Sequence, residues 1–393
     1  MKKVIITDLL ILAVFGSTCF WSVKKDRLTA SVDKILTEQT SEDEEILVLT
    51  SSNLAKKNGQ IGETQMSENA DKESEENTTK DYIKWVDFTV SKFALTESYE
   101  YDRDTYGTDR HISWIDLLAW TAAHTGGKFG DDRTVCKCME ELEMEAEAGK
   151  KLEELTEDLE YFPYYREVYE TVLGGMVGEY EIEEPDAQGR KVTQKRYGLK
   201  AFHPIAKGFP YTDYDDFGAS RSYGYRREHL GHDMMGQVGT PVVCVESGYV
   251  EALGWNQYGG WRIGIRSFDK KRYYYYAHLR QGFPYQPELK EGSVVLAGDV
   301  IGYMGHTGYS TKEDVNNIDQ THLHVGMQLI FDESQKDSDN EIWIDCYQIM
   351  GFLYRNQSET ARNDETKEWR RIYEMKDPAA EKYERTLDFS MYP

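Results

Sequence analysis

The chain has 393 residues, 39% hydrophobic and 30% charged, which is enough for two folded domains and tails. Its formal net charge of -24 weighs against a nucleic-acid binder, which needs a basic face to displace counterions from phosphate. The five cysteines, Cys19, Cys136, Cys138, Cys244 and Cys346, are odd in number and irregular in spacing, so they do not form a disulfide framework.

At the N-terminus, Lys2-Lys3 precede a mostly apolar run from Val4 to Val23, and Lys24-Lys25 follow it. About 20 apolar residues cross a bilayer core. Asp8 lies near the start of the run, where a charge costs less than at its centre. Residues 1–23 are therefore expected to be a single-pass membrane anchor. A cleaved signal with a secreted product is the alternative, and both place the rest of the chain outside the cytoplasm. Residues 24–80 are rich in Ser, Glu, Asp, Asn and Lys, cannot build a core, and read as a flexible linker.

Residues 81–200 read as a small helical domain. His111 to Thr125 carries apolar residues at helical spacing and stops at Gly126-Gly127. Met139 to Leu159 and Tyr161 to Val177 are expected as two more helices. Between Asp131 and Ala187 there are 19 acidic and 5 basic residues, read as solvated helical faces. His111 and His124 have no metal-spaced partner and read as structural. The linker and helical region together suit a protein partner.

From residue 201 the texture becomes that of an all-β unit with Gly-rich turns. Strands are expected on both sides of Ser247-Gly248, over Trp261 to Arg266, over Arg272 to His278 and over His322 to Leu329. Glu291 to Gly302 looks like a biotinyl or lipoyl carrier segment, but its hairpin tip has no lysine, so it is read as fold. A helix from about Ile344 to Arg355 ends the domain at residue 355, and residues 356–393 read as a polar tail.

Seven of the nine histidines fall between His203 and His324. Strand side chains alternate, so His322 and His324 share a face while Leu323 and Val325 point to the core. His229 and Asp233 flank Gly231, which permits a tight bend. A histidine and a carboxylate from one loop, with a histidine from a strand, give three N/O ligands. Three protein ligands and an open fourth position are the pattern of a catalytic zinc site. His232 should point elsewhere and is read as structural.

Four segments carry a family resemblance: His229 to Asp233, Tyr276-Ala277-His278-Leu279, Gly305-His306-Thr307-Gly308 and His322-Leu323-His324. Phe217-Gly218-Ala219-Ser220-Arg221 adds to it. In these, the chain resembles the lysostaphin-type, LytM-like zinc endopeptidases that hydrolyse peptidoglycan. The resemblance covers about a third of the chain. It implies that residues 201–355 are a C-terminal all-β antiparallel peptidase domain, and with the helical domain and N-terminal transmembrane helix read above the fold class is α+β. The resemblance also implies a Zn2+ ion held by His229, Asp233 and His324, with His322 as general base and His278 as the second catalytic histidine, donating to the oxyanion. Tyr223 stands where the family places a transition-state tyrosine. The substrate would be a peptide bond in peptidoglycan. A catalytically silent scaffold is the competing reading, and it has no need of the full ligand set. The family passes directly from its Gly-x-Thr-Gly turn into His-Leu-His, whereas here Lys312 to Gln320 intervenes. That insertion is expected to line the groove.

Overall fold

The computed structural model describes residues 82–223, 225–336 and 338–390. The expected anchor at 1–23 and linker at 24–80 lie outside the described residues. Among the described residues no helix is long and apolar enough to cross a membrane.

Five helices come first: α1 (Lys92–Thr105), α2 (Trp114–Thr125), α3 (Asp132–Glu147), α4 (Leu152–Thr156) and α5 (Phe162–Leu173). Ser91 and Ser113 cap α1 and α2 by accepting from Ala94 N and Asp116 N. Gly126, at φ 63, ends α2 where the sequence places the stop. The long helix expected over Met139 to Leu159 is broken. Gly149 sits at φ 83 between α3 and α4, a left-handed conformation that ends a helix.

The helical reading of 81–200 fails in its last fifth. Val177–Pro185 (β1) and Lys191–Leu199 (β2) form an antiparallel hairpin. Tyr180 and Ile182 point to one face, where they pack on a small apolar cluster, so the acidic residues between them belong to a strand. The polar tail expected from 356 is also packed. It contains the hairpin Thr360–Arg362 and Trp369–Arg371, and Met375–Lys376 adds a third strand beside β1. Met375 is buried, and the final helix runs over Pro378–Ser390.

The main sheet has eight strands, all antiparallel. Four of them position the site: β6 (His232–Met235), β9 (Gly260–Ser267), β10 (Arg272–Ala277) and β13 (His322–Leu329). They lie side by side in the order β9-β10-β13-β6. One face carries Ile263, Ile265, Tyr274, Tyr276, Leu323, Val325, Met327 and Leu329 into the core. The other face carries Arg262, Tyr273, Tyr275, His322, His324 and Gln328 into an open cleft. The run Tyr273-Tyr274-Tyr275-Tyr276 thus divides between core and cleft by strand alternation alone.

The helices and the sheet share one core, where the sequence suggests separate domains. Leu95, Leu118 and Val172 belong to the same buried cluster as Ile265 and Val325. A buried polar junction reinforces it. Arg272 donates to Glu246 from Nε (2.8 Å) and Nη2 (3.0 Å), and from Nη1 to the Thr171 carbonyl in the last turn of α5 (2.7 Å). Tyr274 OH donates to Glu246 Oε2 at 2.6 Å. A Cβ on Gly175 would stand 1.6 Å from Glu246 Oε1, so this approach requires glycine. Arg272→Ala would leave Glu246 buried without its cation, with only Tyr274 OH donating to it, and would strip the α5 carbonyls of their donor. The expected loss is about 3–5 kcal/mol of unfolding free energy. Denaturant melts of the two chains measure it, and a loss below about 1 kcal/mol would show that the junction is not holding helices to sheet.

Candidate metal centre and cleft

The cleft has a volume of about 680 Å³. Three donors converge on its floor. His229 Nε2 lies 3.0 Å from Asp233 Oδ1 and 3.0 Å from His324 Nδ1, and His324 Nδ1 lies 2.9 Å from Asp233 Oδ1. Each comes from a different constraint. Asp233 and His324 face each other across β6 and β13 in register. His229 ends the hairpin of β4 (Ser220–Tyr223) and β5 (Tyr225–Glu228), whose ladder continues as His229 N donates to the Ala219 carbonyl (2.9 Å).

Hydrogen bonding alone does not satisfy this triangle. His229 Nδ1 donates to the Asp216 carbonyl (3.2 Å), with Asp216 Oδ1 3.0 Å away but off the N–H line. In the neutral ring Nε2 then carries a lone pair, so only His324 Nδ1 can bring a proton. At least one edge of the triangle is left with lone pairs facing each other. A cation resolves that. Tetrahedral zinc bonded at about 2.0–2.2 Å sets its donors about 3.3 Å apart, close to the separations here. The N/O/N donor set suits zinc. Burial lowers the pKa of His324, which favours the neutral ring that a metal needs. Burial pushes the Asp233 carboxyl up, but His229 and His324 hold it well below the usual carboxylate range.

Gly231 has a different role from the bend expected of it, and its φ is not in the left-handed region. A Cβ there would stand 2.5 Å from both Cε1 and Nε2 of His324 and 2.8 Å from the Val325 carbonyl oxygen. The glycine makes room for the imidazole.

His278 and His322 lie beside the trio, ring centroids 4.6 Å apart. His278 has φ 60, an unusual conformation for a side-chain-bearing residue and a cost on the order of 1 kcal/mol. The strand ends hold it there. His278 N donates to Gly259 O (2.8 Å), and Gly305 N donates to His278 O (3.0 Å). Its Nδ1 donates to the Thr307 carbonyl at 2.9 Å, which turns Nε2 into an acceptor. The Gly305-His306-Thr307-Gly308 turn therefore orients this ring. His322 Nδ1 donates to Gln320 O (2.7 Å), and its Nε2 lies 3.7 Å from Asp233 Oδ1. Burial lowers the pKa of His278. With each Nδ1 turned to a carbonyl, the Nε2 atoms of the two rings are left to handle a proton.

Two residues around the trio have roles that motif spacing did not reveal. Asp216 backs His229, and Arg221 ion-pairs with Asp216 while reaching Asp233 Oδ2 at 3.4 Å. The only sequence signal for Asp216 is its place just before Phe217-Gly218. Tyr223 ends β4, but its side chain lies outside the described part of the molecule. His232 turns to Asp213 (2.9 Å), away from the trio. His111 pairs with Asp102 and His124 with the Trp120 carbonyl, both in structural roles.

The insertion does not line the cleft. Asp314 accepts from Trp261 Nε1 (2.7 Å) and Gly282 N (2.8 Å), which ties the loop to the 279–283 turn. Among the described residues of 312–320 none lines the cleft, although Tyr309 before it does. None of residues 82–199 lines it either.

Residues 227–338 match the model of Peptidase family M23. Over 124 residues the chain is 42% identical to the L-Ala--D-Glu endopeptidase of Bacillus subtilis (strain 168), covering 32% of this chain and 36% of that protein. It is 39% identical over 84 residues to lysostaphin of Staphylococcus simulans, covering 21% of this chain and 16% of lysostaphin. A solved structure of lytM from Ruminococcus gnavus ATCC 29149 aligns with 69% of this chain and 90% of its own, at 22% identity and a TM-score of 0.46. The chain thus spans well under two thirds of the two named relatives' own lengths. Residues 227–338 thus form a domain that matches peptidase family M23 and is similar to the lysostaphin-type peptidases.

Proposed function

We propose that this chain is a zinc-dependent endopeptidase that hydrolyses peptide bonds in the stem or cross-bridge peptides of peptidoglycan. The observation that carries the reading is the convergence of His229, Asp233 and His324 within 4.8 Å of one another, beside two further histidines in one open cleft. The activity in the Bacillus subtilis relative's name, L-Ala--D-Glu endopeptidase, agrees with it.

His229, Asp233 and His324 would hold the zinc, which when bound polarises a scissile carbonyl and lowers the pKa of a water to about 7. His322 takes a proton at Nε2 and returns it to the leaving amine. His278 can donate toward a developing oxyanion only after its Nε2 gains a proton, and negative charge forming beside it favours that step. Tyr223 belongs to the same proposal as a further stabilising group. The wall substrate also places the domain outside the cytoplasm, with residues 1–23 as anchor. Retention in the membrane fraction after a high-salt wash tests that placement, and a shortened chain in the medium would replace it with secretion.

The test of function is digestion of purified muropeptides by the full chain, with mass analysis of products and metal analysis of the protein. About one zinc per chain and new amino termini are expected. Intact muropeptides from a zinc-loaded chain would overturn the reading. Asp216→Asn keeps the main-chain carbonyl that accepts from His229 but removes the carboxylate that pairs with Arg221 and lies 3.0 Å from His229 Nδ1, so it should weaken zinc binding by about 10-fold, the low end of an outer-shell effect. Chelator competition measures this, and unchanged affinity would remove Asp216 from the site.

A further inference from the structure

We propose that the cleft selects a peptide bearing a free carboxylate close to the scissile bond, and that Arg262, supported by Gln328 and Arg227, reads that carboxylate. This rests on the endopeptidase reading above and names the substrate class of the same cleft.

Acidic residues outnumber basic ones 70 to 46 in this chain. Carboxylate partners are abundant, and Arg103, Arg110, Arg166, Arg266, Arg272 and Arg370 all have one. Arg262 and Arg227 have no ion pair among the described residues, and both line the cleft. Arg262 Nη1, Arg227 Nε and Gln328 Nε2 are each buried without a hydrogen-bond acceptor. Buried polar atoms are nearly always paired, so three such donors around one cleft are unusual. All three are donors. A ligand that enters beside two arginines with no ion pair has its best form as an anion, which brings acceptors.

The sheet register relates them to the metal donors. Tyr276 opposes Ile263 on β9, and Ala277 opposes His324 on β13. Continuing that register by one residue sets Arg262 opposite Ala277. Arg262, Ala277, His324 and Asp233 then lie in one row across four strands on the cleft face. Neighbouring strands are about 4.8 Å apart, so the Arg262 backbone is about 10 Å from that of His324. A side chain of arginine length spans much of that interval. Gln328 follows His324 on the same face of β13, four residues on.

The floor between these groups is flattened by glycine. A Cβ on Gly264 would stand 2.0 Å from Tyr273 OH, and one on Gly326 would stand 2.7 Å from the Trp343 ring. Aromatic rings therefore lie across bare backbone between the trio and Gln328. On the other side, Arg227 is held between the rings of Tyr258 (5.3 Å) and Tyr309 (5.2 Å) and donates to Tyr309 OH. A guanidinium fixed in this way is pre-organised for a carboxylate. A neutral glycine bridge would leave these donors unmet. A peptide with a free carboxylate beside the scissile bond would meet them.

The test uses two synthetic peptides that differ only in that group, one carboxylate and one carboxamide. Turnover is measured on the zinc-loaded full chain, and binding of the uncut peptides by calorimetry on the full-length His322→Ala chain. The carboxylate peptide should be preferred by about 10- to 100-fold in both kcat/KM and Kd, the effect expected of a hydrogen-bonded charge pair. Arg262→Gln should bring that ratio close to one, and Arg262→Lys should restore part of it. Circular dichroism and zinc content of both variants check that the fold and metal site persist. Equal binding of the two peptides, or a preference unchanged in a folded Arg262→Gln chain, overturns the proposal. Absence of turnover together with a clear carboxylate preference in binding would instead count against the endopeptidase reading and leave the recognition site standing.

Discussion

His322→Ala is expected to keep its zinc and lose turnover by about 10²- to 10⁴-fold, the range for a positioned acid-base group. The split follows from geometry. His322 Nε2 lies 3.7 Å from Asp233 Oδ1, while the three converging donors are 2.9–3.0 Å apart and do not include it. Removing His322 therefore subtracts a proton acceptor and leaves the donor set whole. His278→Ala should behave in the same way, because its ring is oriented by the Thr307 carbonyl and not by the trio. The two rings are 4.6 Å apart and act in the same step, so their losses should not add. The double variant should fall little below the worse single one. Zinc content and muropeptide turnover on the three chains decide the matter. A His322→Ala chain that cuts at the wild-type rate ends its assignment as base, and one that loses zinc moves it into the ligand set.

The core of the candidate site was legible because strand alternation is a strong local rule. His322-Leu323-His324 announces two side chains on one face, and the tyrosine run on β10 obeys the same period. The limits came from contacts between segments distant in sequence. Asp216 and Arg221 matter through a hairpin whose pairing no periodicity reveals. The strand Val177–Pro185 was hidden by its glutamates, although Tyr180 and Ile182 alternate with them as a strand requires. Residues 356–390 looked like a tail because their apolar residues are few and scattered. Met375 is nonetheless buried beside Phe202 and Val243. The insertion at 312–320 was placed near the metal by sequence proximity to His322. Asp314 instead turns it outward onto Trp261 and Gly282, an arrangement visible only once β9 is known to run alongside.

The other large effect is expected from the smallest change. Gly231→Ala adds one methyl group, yet its Cβ would stand 2.5 Å from Cε1 and Nε2 of His324. Side-chain atoms do not approach that closely, so something must move. The backbone offers little relief, because the Val325 carbonyl oxygen lies 2.8 Å away on the same side and belongs to β13. That strand is paired with β10 and β6, and shifting it would disturb both ladders. The imidazole of His324 is the softer element, and it must swing away from Asp233 and His229. A metal site tolerates donor errors of only about 0.2 Å. Displacing one of three protein ligands should weaken zinc by at least about 100-fold, beyond the usual outer-shell effect. The backbone at Gly231 is outside the left-handed region, so alanine brings no conformational strain and the fold itself should survive. Far-ultraviolet circular dichroism close to wild type, with zinc lost on dialysis, is the expected pair of results. A folded Gly231→Ala chain that holds one zinc through dialysis would show that His324 can yield without losing the metal, and that this glycine is not what lets the ring reach the site.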